Sequence, residues 1–320
     1  VRDNKVLRIT PRQNMEVNEY WLPDEDRLVY DRFNDDRPEG PQVRRNGKLV
    51  DANWTQAYAK AAALLGPVDG DRIQFVGSAY ATVEDNYLLT QLAEHLGADA
   101  PVYMPHIEPG AGDDWLITDD KTPNAQGCER LGIREADMEL LRTRIQNGEI
   151  DVLYVLEDDP VASELCALAD LEDVDVILHY YNTTNETLPA VDVALPAAMV
   201  VETVGTYVNQ DGRAQRVRPA KAIQGVNRTL MMEMGTSRED EHGTPFDRWH
   251  NESHRINCKP SWEILPQIAD RIGFNLDYAK GPQAIMNEVQ STRDAFEGAT
   301  YEAMGLQGVA LEEASAGEPA

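Results

Sequence analysis

Hydrophobic positions along this chain fall into two rhythms. One recurs every three or four residues. Trp54, Ala57, Tyr58, Ala61, Leu64 and Leu65 share one face of a helix, and Gly66-Pro67 stops it. Asp85 to Leu96 repeats the pattern through Leu88, Leu92 and Leu96, closed by Gly97. Met138, Leu141 and Ile145 mark a third helix, capped by Gly148. Trp262, Leu265, Ile268, Ala269 and Ile272 mark a strongly amphipathic fourth, ended by Gly273. Val161 to Ala169 reads as a short helix and Pro282 to Val289 as a weaker one. The other rhythm is a short, continuous apolar run. Arg72 to Gly77, Val102 to Met104, Ile150 to Leu156, Val174 to His179 and Val191 to Leu195 are of this kind. Strands apolar on both faces are those of a parallel sheet covered by helices on both sides.

Strand and helix alternate, so the fold class is α/β, with Rossmann-like parallel layers. The first 52 residues look different. Lys5 to Thr10 is a strand candidate ended by Pro11, and Asn46-Gly47 within Arg44 to Val50 signals a hairpin. This predicts a small β-rich N-terminal part over 1–52. A first α/β unit follows over 53–134 and a second over 135–224. Then come a polar linker over 225–257, a C-terminal helical segment over 258–311 and a small, acidic, disordered tail over 312–320. Residues 105–134 read mostly as loop. A loop of that length is functional or a remnant of something longer.

Charge narrows the partners. Fifty-six acidic against 29 basic residues give a formal net charge of −27, unsuited to nucleic acid or anionic lipid. The acids are expected on solvated surface. Glu157-Asp158-Asp159-Pro160 in particular reads as a solvated strand-to-helix turn. No run of about 18 apolar residues occurs, so no membrane-inserting helix is expected. Cys128, Cys166 and Cys258 stand far apart with no C-x-x-C pair. They are read as separate buried thiols, Cys128 in a loop, and not as a disulfide framework or metal site. His250 and His254 have a spacing that can bind metal on a helix, but polar surroundings disfavour it. No G-x-G-x-x-G, G-x-x-x-x-G-K-[ST] or G-x-S-x-G is present.

Several blocks, in order, carry a family likeness. They are VRDNKVLRITPRQNMEVNEYWL at the start, RPEGPQVRRNGKLVDANWTQAYAKAA, Lys121 to Gly127 (KTPNAQG), GEIDVLYVLEDDP, VDVALPAAMVVETVGTYVNQDGRAQRV, SWEILPQIADRIG and FEGATYEAMGLQGV. In this order they resemble the large iron–sulfur subunit of respiratory NADH:quinone oxidoreductase, complex I, and its relatives the molybdopterin oxidoreductases. The resemblance implies an α/β fold of the molybdopterin oxidoreductase type. The strongest block matches the family's E-x-x-G-T-x-x-N-x-x-G-R at Glu202, Gly205, Thr206, Asn209, Gly212 and Arg213. Read by themselves, Asn209 to Gly212 form an ordinary hairpin turn, with a ligand loop as the alternative. Glu202 is expected as a buried, hydrogen-bonded carboxylate.

Where many bacterial relatives carry the fourth cysteine ligand of an extra four-iron cluster, after a Trp-Leu, this chain has Pro23. Proline cannot coordinate iron. The resemblance thus implies iron–sulfur clusters only in a region upstream of Val1, where a fragment or processed chain would have lost them. No cofactor, metal or catalytic residue is expected in this segment. It also implies partners among the other subunits of the peripheral arm of complex I, and a peripheral location on the cytoplasmic side of the inner membrane. The role so read is a structural, non-catalytic support for NADH-to-quinone electron transfer. A truncated but active molybdopterin oxidoreductase and a free-standing α/β small-molecule-binding protein are the alternatives.

Overall fold

A computed structural model describes residues 1–113, 115–225, 254–276 and 281–312. Among the described residues eleven strands are formed: β1 Gln42–Arg45, β2 Lys48–Asp51, β3 Ile73–Gly77, β4 Val102–Tyr103, β5 Arg134–Glu135, β6 Val152–Leu156, β7 Asp175–Tyr180, β8 Val193–Pro196, β9 Gly205–Val208, β10 Arg213–Val217 and β11 Val309–Ala310. The helices used below are α1 Trp54–Leu65, α2 Val83–Leu96, α3 Ala125–Leu131, α4 Met138–Gln146, α5 Ser261–Arg271, α6 Pro282–Thr292 and α7 Tyr301–Met304.

One eight-stranded sheet runs in the order β2-β1-β8-β7-β6-β3-β4-β5. From β8 to β5 every pairing is parallel. The strands of residues 53–134 and β6, β7 and β8 of residues 135–224 therefore lie in the same sheet. Chain order runs outward in both directions from the β3–β6 pair, so that pair is the switch point of a doubly wound sheet. The β1–β2 hairpin joins antiparallel at the β8 edge. Its two-residue turn places Asn46 at φ 50° and Gly47 at φ 78°, as a type I′ turn requires. A second sheet, β11-β10-β9, is antiparallel.

The apolar runs form strands because both sheet faces are covered. Val152, Tyr154 and Leu156 of β6 pack into the core shared with α1, α2 and α5. Leu153 and Val155 pack on the other side with Leu141 and Ile145 of α4. Capping fixes the helix starts. Asn53 with Gln56, and Thr82 with Asp85, form capping boxes on α1 and α2, each worth about 1 kcal/mol. Gly97 closes α2 in the left-handed region at φ 70°.

Three expectations fail. Lys5 to Thr10 forms no strand, only a single bridge between Arg2 and Lys5. Residues 1–41 are instead mostly irregular, with one helical turn at Asp24–Arg27 and a 3-10 segment at Tyr30–Phe33, and are tied down by side chains. Asn34 exchanges hydrogen bonds with the Val6 backbone, and Asn4 does the same with Ala222. Val161 to Ala169 is a turn followed by a 3-10 segment, Leu168–Leu171. Pro160 O accepts the Leu165 N–H there, and Arg142 Nε donates to Leu165 O, so tertiary bonds hold the segment without a helix. Residues 105–134 contain α3, which puts Cys128 in a helix and not a loop. The expected linker lies outside the described residues save for Gly225 and 254–257, and the tail save for Glu312.

Candidate functional site

Open α/β sheets bind ligands outside the carboxyl ends of their strands, at the switch point. Here that crevice lies beyond Gly77 of β3 and Leu156 of β6. Ser78 to Thr82 lead from β3 into α2, and Glu157 to Pro160 follow β6. The first turn of α2 offers partial positive charge, which in many folds cradles a phosphate. This chain fills it with its own carboxylates.

Glu84 and Asp85 occupy that first turn, at 0% and 2% exposure. Glu84 accepts the Thr206 backbone N–H at 2.8 Å, the Thr206 hydroxyl at 2.9 Å and the Tyr301 hydroxyl at 2.7 Å. Asp85 accepts the Thr82 hydroxyl and backbone N–H. Glu157, opposite them, accepts hydroxyl bonds from Ser261 and Tyr181. It is a non-glycine residue at φ 54°, a conformation costing about 1 kcal/mol or more. Burial raises the pKa of all three acids. Asp85 is pushed up to about 7, with Glu84 repulsion adding to burial. Glu157 is pushed up to about 8, with Asp85 repulsion adding to burial. In Glu84 burial outweighs the bonds from Tyr301 and Thr206. The expectation of a solvated Glu157-Asp158-Asp159 turn is therefore wrong. Glu157 and Asp158 are buried, at 5% and 7% exposure. Asp158 bonds His106 Nε2 at 2.9 Å, and Asp159 accepts the Thr187 backbone and hydroxyl groups. The acids are also not confined to solvated surface.

Ser261 sits between Glu157 and His179. His179 Nδ1 is 2.8 Å from Ser261 Oγ, and its Nε2 is 2.8 Å from Tyr154 Oη. These residue types compose a hydrolase triad, but the order is wrong. The serine is in the middle and the acid does not orient the histidine. Burial pulls His179 down to about 3, so it is neutral, and Ser261 is only 1% exposed. Neither Ser261 nor His179 is open to solvent.

The family block meets this crevice through Gly205 and Thr206. Glu202 is fully buried and accepts Arg37 Nη2 at 2.8 Å, with Lys221 Nζ at 3.4 Å. A β-carbon on Gly205 would lie 2.4 Å from Thr82 Cγ2, so only glycine lets β9 approach the start of α2. Thr206 holds Glu84. Asn209 Oδ1 accepts the backbone N–H groups of Asp211 and Arg213, and the Gly212 N–H closes the turn on Asn209 O at 2.9 Å with Gly212 at φ 71°. Arg213 donates to Gly308 O at 3.1 Å. Sequence reasoning missed Asn124, which is fully buried, donates to Ala81 O and accepts from the Val208 N–H at 2.8 Å. Its only local signal was its place within KTPNAQG.

The cysteines are free and buried in separate places. Burial raises each thiol, Cys166 to about 12. Among the described residues no three His, Cys, Asp or Glu side chains are placed to hold a metal. His254 bonds the Asp3 carbonyl, and His250 lies outside the described residues. Among the described residues no helix is long and apolar enough to cross a membrane. Pro23 lines an open cleft of about 720 Å³ beside the crevice.

The doubly wound sheet with this block defines the class. Residues 133–231 match the family described as molybdopterin oxidoreductase. Residues 1–31 match that described as NADH-ubiquinone oxidoreductase NDSU1/NuoG-like, 4Fe-4S domain, although those residues contain no cysteine. Within that class, the resemblance to the large iron–sulfur subunit of complex I holds. The chain is similar to the NADH-quinone oxidoreductase G subunit of Rickettsia felis, 26% identical over 267 residues, covering 78% of this chain and 37% of that protein. It is similar to the G subunit of Rickettsia conorii, 37% identical over 98 residues, covering 31% of this chain and 15% of that protein. It is also 30% identical over 161 residues to a putative formate dehydrogenase of Staphylococcus haemolyticus, covering 49% of this chain and 13% of that protein. The chain thus spans well under half the length of these relatives.

The molybdopterin cofactor that the class name implies fits poorly at the switch point. An anionic diphosphate there would face Glu84, Asp85 and Glu157, whose bonds already occupy the nearby donors of Thr206, Tyr301, Tyr181 and Ser261. Burial already disfavours charge on these three acids, and a buried diphosphate would meet the same penalty with its donors taken.

Proposed function

We propose that this chain is a structural, non-catalytic part of a complex I subunit that supports NADH-to-quinone electron transfer. It packs against other subunits of the peripheral arm, on the cytoplasmic side of the inner membrane. Iron–sulfur clusters belong to sequence upstream of it. The observation that carries the reading is the crevice closed by three buried carboxylates. The dispersed, buried cysteines and Pro23 in place of a ligand point the same way. Glu202, Gly205, Thr206, Asn209, Gly212 and Arg213 then serve to hold β9 and its turn against α2, not to touch a ligand. The 1–52, 53–134, 135–224 and 258–311 segments are parts of this packing body.

The formate dehydrogenase relative favours a second reading, a truncated but active molybdopterin oxidoreductase. One experiment separates the two: purification of the full-length subunit followed by metal and pterin analysis. The first reading expects iron without molybdenum, tungsten or pterin. Stoichiometric molybdenum or tungsten with releasable pterin would establish the second.

A further inference from the structure

The crevice is closed, but beside it lies an open cleft of about 720 Å³, bounded by residues 17–26, the loop after β4, the start of α3 and the β9–β10 turn. Trp21 and Trp115 meet edge to face across it, with ring centroids 5.2 Å apart, and are 52% and 64% exposed. A tryptophan pair left in water is uncommon unless it serves as a contact surface. Local bonds hold the pair out. Asp113 Oδ1 accepts the backbone N–H groups of Trp115, Leu116 and Ile117, and the Ile107–Asp120 bridge closes the base of the loop.

The walls are one-signed. Asp26, Asp120, Glu129, Glu135 and Asp211 line the cleft, and no Lys or Arg is among the described residues that do. Its one other titratable wall group besides Tyr103, His106, is engaged by Asp158. Aromatic faces flanked by carboxylates attract guanidinium and ammonium groups. The volume is several times what one small cation fills, and Val17, Ile107 and Leu116 add apolar wall.

We propose that this cleft receives a basic segment of a partner protein, with a Lys or Arg side chain over the Trp21–Trp115 pair and apolar neighbours against the wall. The inference rests on the subunit reading only in expecting the partner within the same assembly. The test replaces Trp115 with p-benzoylphenylalanine in the full-length subunit, expressed in its own cells, irradiated and mapped by mass spectrometry. Leu140, 59% exposed on α4, carries the same probe as a control. The expected product is an adduct to another polypeptide at a segment bearing Lys or Arg. Its yield should fall about tenfold with Asp26→Asn and Glu135→Gln together, as loss of charge complementarity requires, while the Leu140 adducts stay unchanged. An adduct to lipid, an adduct indifferent to the double substitution, or none between chains would overturn the proposal. An adduct of the expected kind on a protein that does not co-purify with NADH oxidation would leave the cleft standing and sink the respiratory assignment.

Discussion

Two acidic regions lie side by side at the carboxyl edge of one sheet, and their carboxylates live under opposite conditions. In the switch-point crevice, Glu84, Asp85 and Glu157 are sealed among hydroxyl and amide donors, and burial disfavours their charge. In the neighbouring cleft, Asp26, Asp120, Glu129, Glu135 and Asp211 stand round two exposed tryptophans and open volume. Residue type alone does not distinguish them. What differs is the donor supply: the first region receives Thr206 from β9, Tyr301 from α7 and Ser261 from α5, while in the second Thr122 bonds Asp120, Tyr103 and Gln126 bond Glu129, and the two tryptophans stay exposed. Long-range hydrogen bonds close the first region, and exposed tryptophans beside carboxylates keep the second open.

The sharpest way to break the closed region is Gly205→Val. The new side chain has no room against Thr82 and would push β9 off α2, removing the Thr206–Glu84 bonds as well. We expect a loss of about 3 kcal/mol, read by denaturant unfolding of the full-length subunit. An unchanged midpoint would mean that β9 does not dock where described. Glu84→Ala comes next. It orphans the buried Thr206 N–H and hydroxyl and the Tyr301 hydroxyl, at about 2–3 kcal/mol in total, with little change in the open cleft.

Much of this architecture was legible in the chain, for physical reasons. IDVLYVL is apolar on both faces because helices cover both, and Asn46-Gly47 supplies the two positive φ values its turn needs. The spacing of Leu88, Leu92 and Leu96 before Gly97 makes α2 recognisable, but spacing alone starts it at Asp85, two residues late, because the Thr82–Asp85 capping box fixes its first turn. The crevice was not legible. Glu84 is one of 56 acids, and its partners Thr206 and Tyr301 lie 122 and 217 residues away. No periodicity encodes such a meeting. The turn at Glu157 misled for the same reason: its polar composition suggested water, while Tyr181 and Ser261 supply the bonds that water would have made. Lys5 to Thr10 has strand composition but no neighbouring edge to pair with, and side-chain bonds hold that region instead.

The titration of the closed region gives a smaller and more specific effect. Unfolded Asp and Glu lose their protons near pH 4, whereas Asp85 and Glu157 hold theirs to about 7 and about 8 in the fold. Between those limits the folded state binds more protons than the unfolded one. The stability so contributed is fully present below about pH 4 and is lost as pH rises through neutrality. Glu157→Gln, which keeps the size of the side chain and cannot titrate, should flatten the slope of stability against pH by up to about 1.4 kcal/mol per unit. A slope identical to the wild type would mean that Glu157 is ionised in the fold, and the crevice could then be open to solvent.

The smallest expected effect belongs to the open cleft, and there the smallness is the point. Trp115 is 64% exposed, and its own backbone N–H, not its ring, is what Asp113 holds. Trp115→Ala therefore keeps the loop anchor and removes only a ring contact with Trp21 and some surface. Truncating a tryptophan in a core costs about 3–5 kcal/mol, but substitutions at exposed positions stay within about 0.5 kcal/mol. We expect the isolated full-length subunit to unfold at the same denaturant midpoint within that margin. In the assembled state the same residue should matter more, because a partner that covers the pair turns its exposed area into buried area. Thermal stability compared between the free subunit and the assembly reads that difference directly. A loss above about 2 kcal/mol in the free subunit would place Trp115 in the packing of this chain and remove the contrast between the two regions.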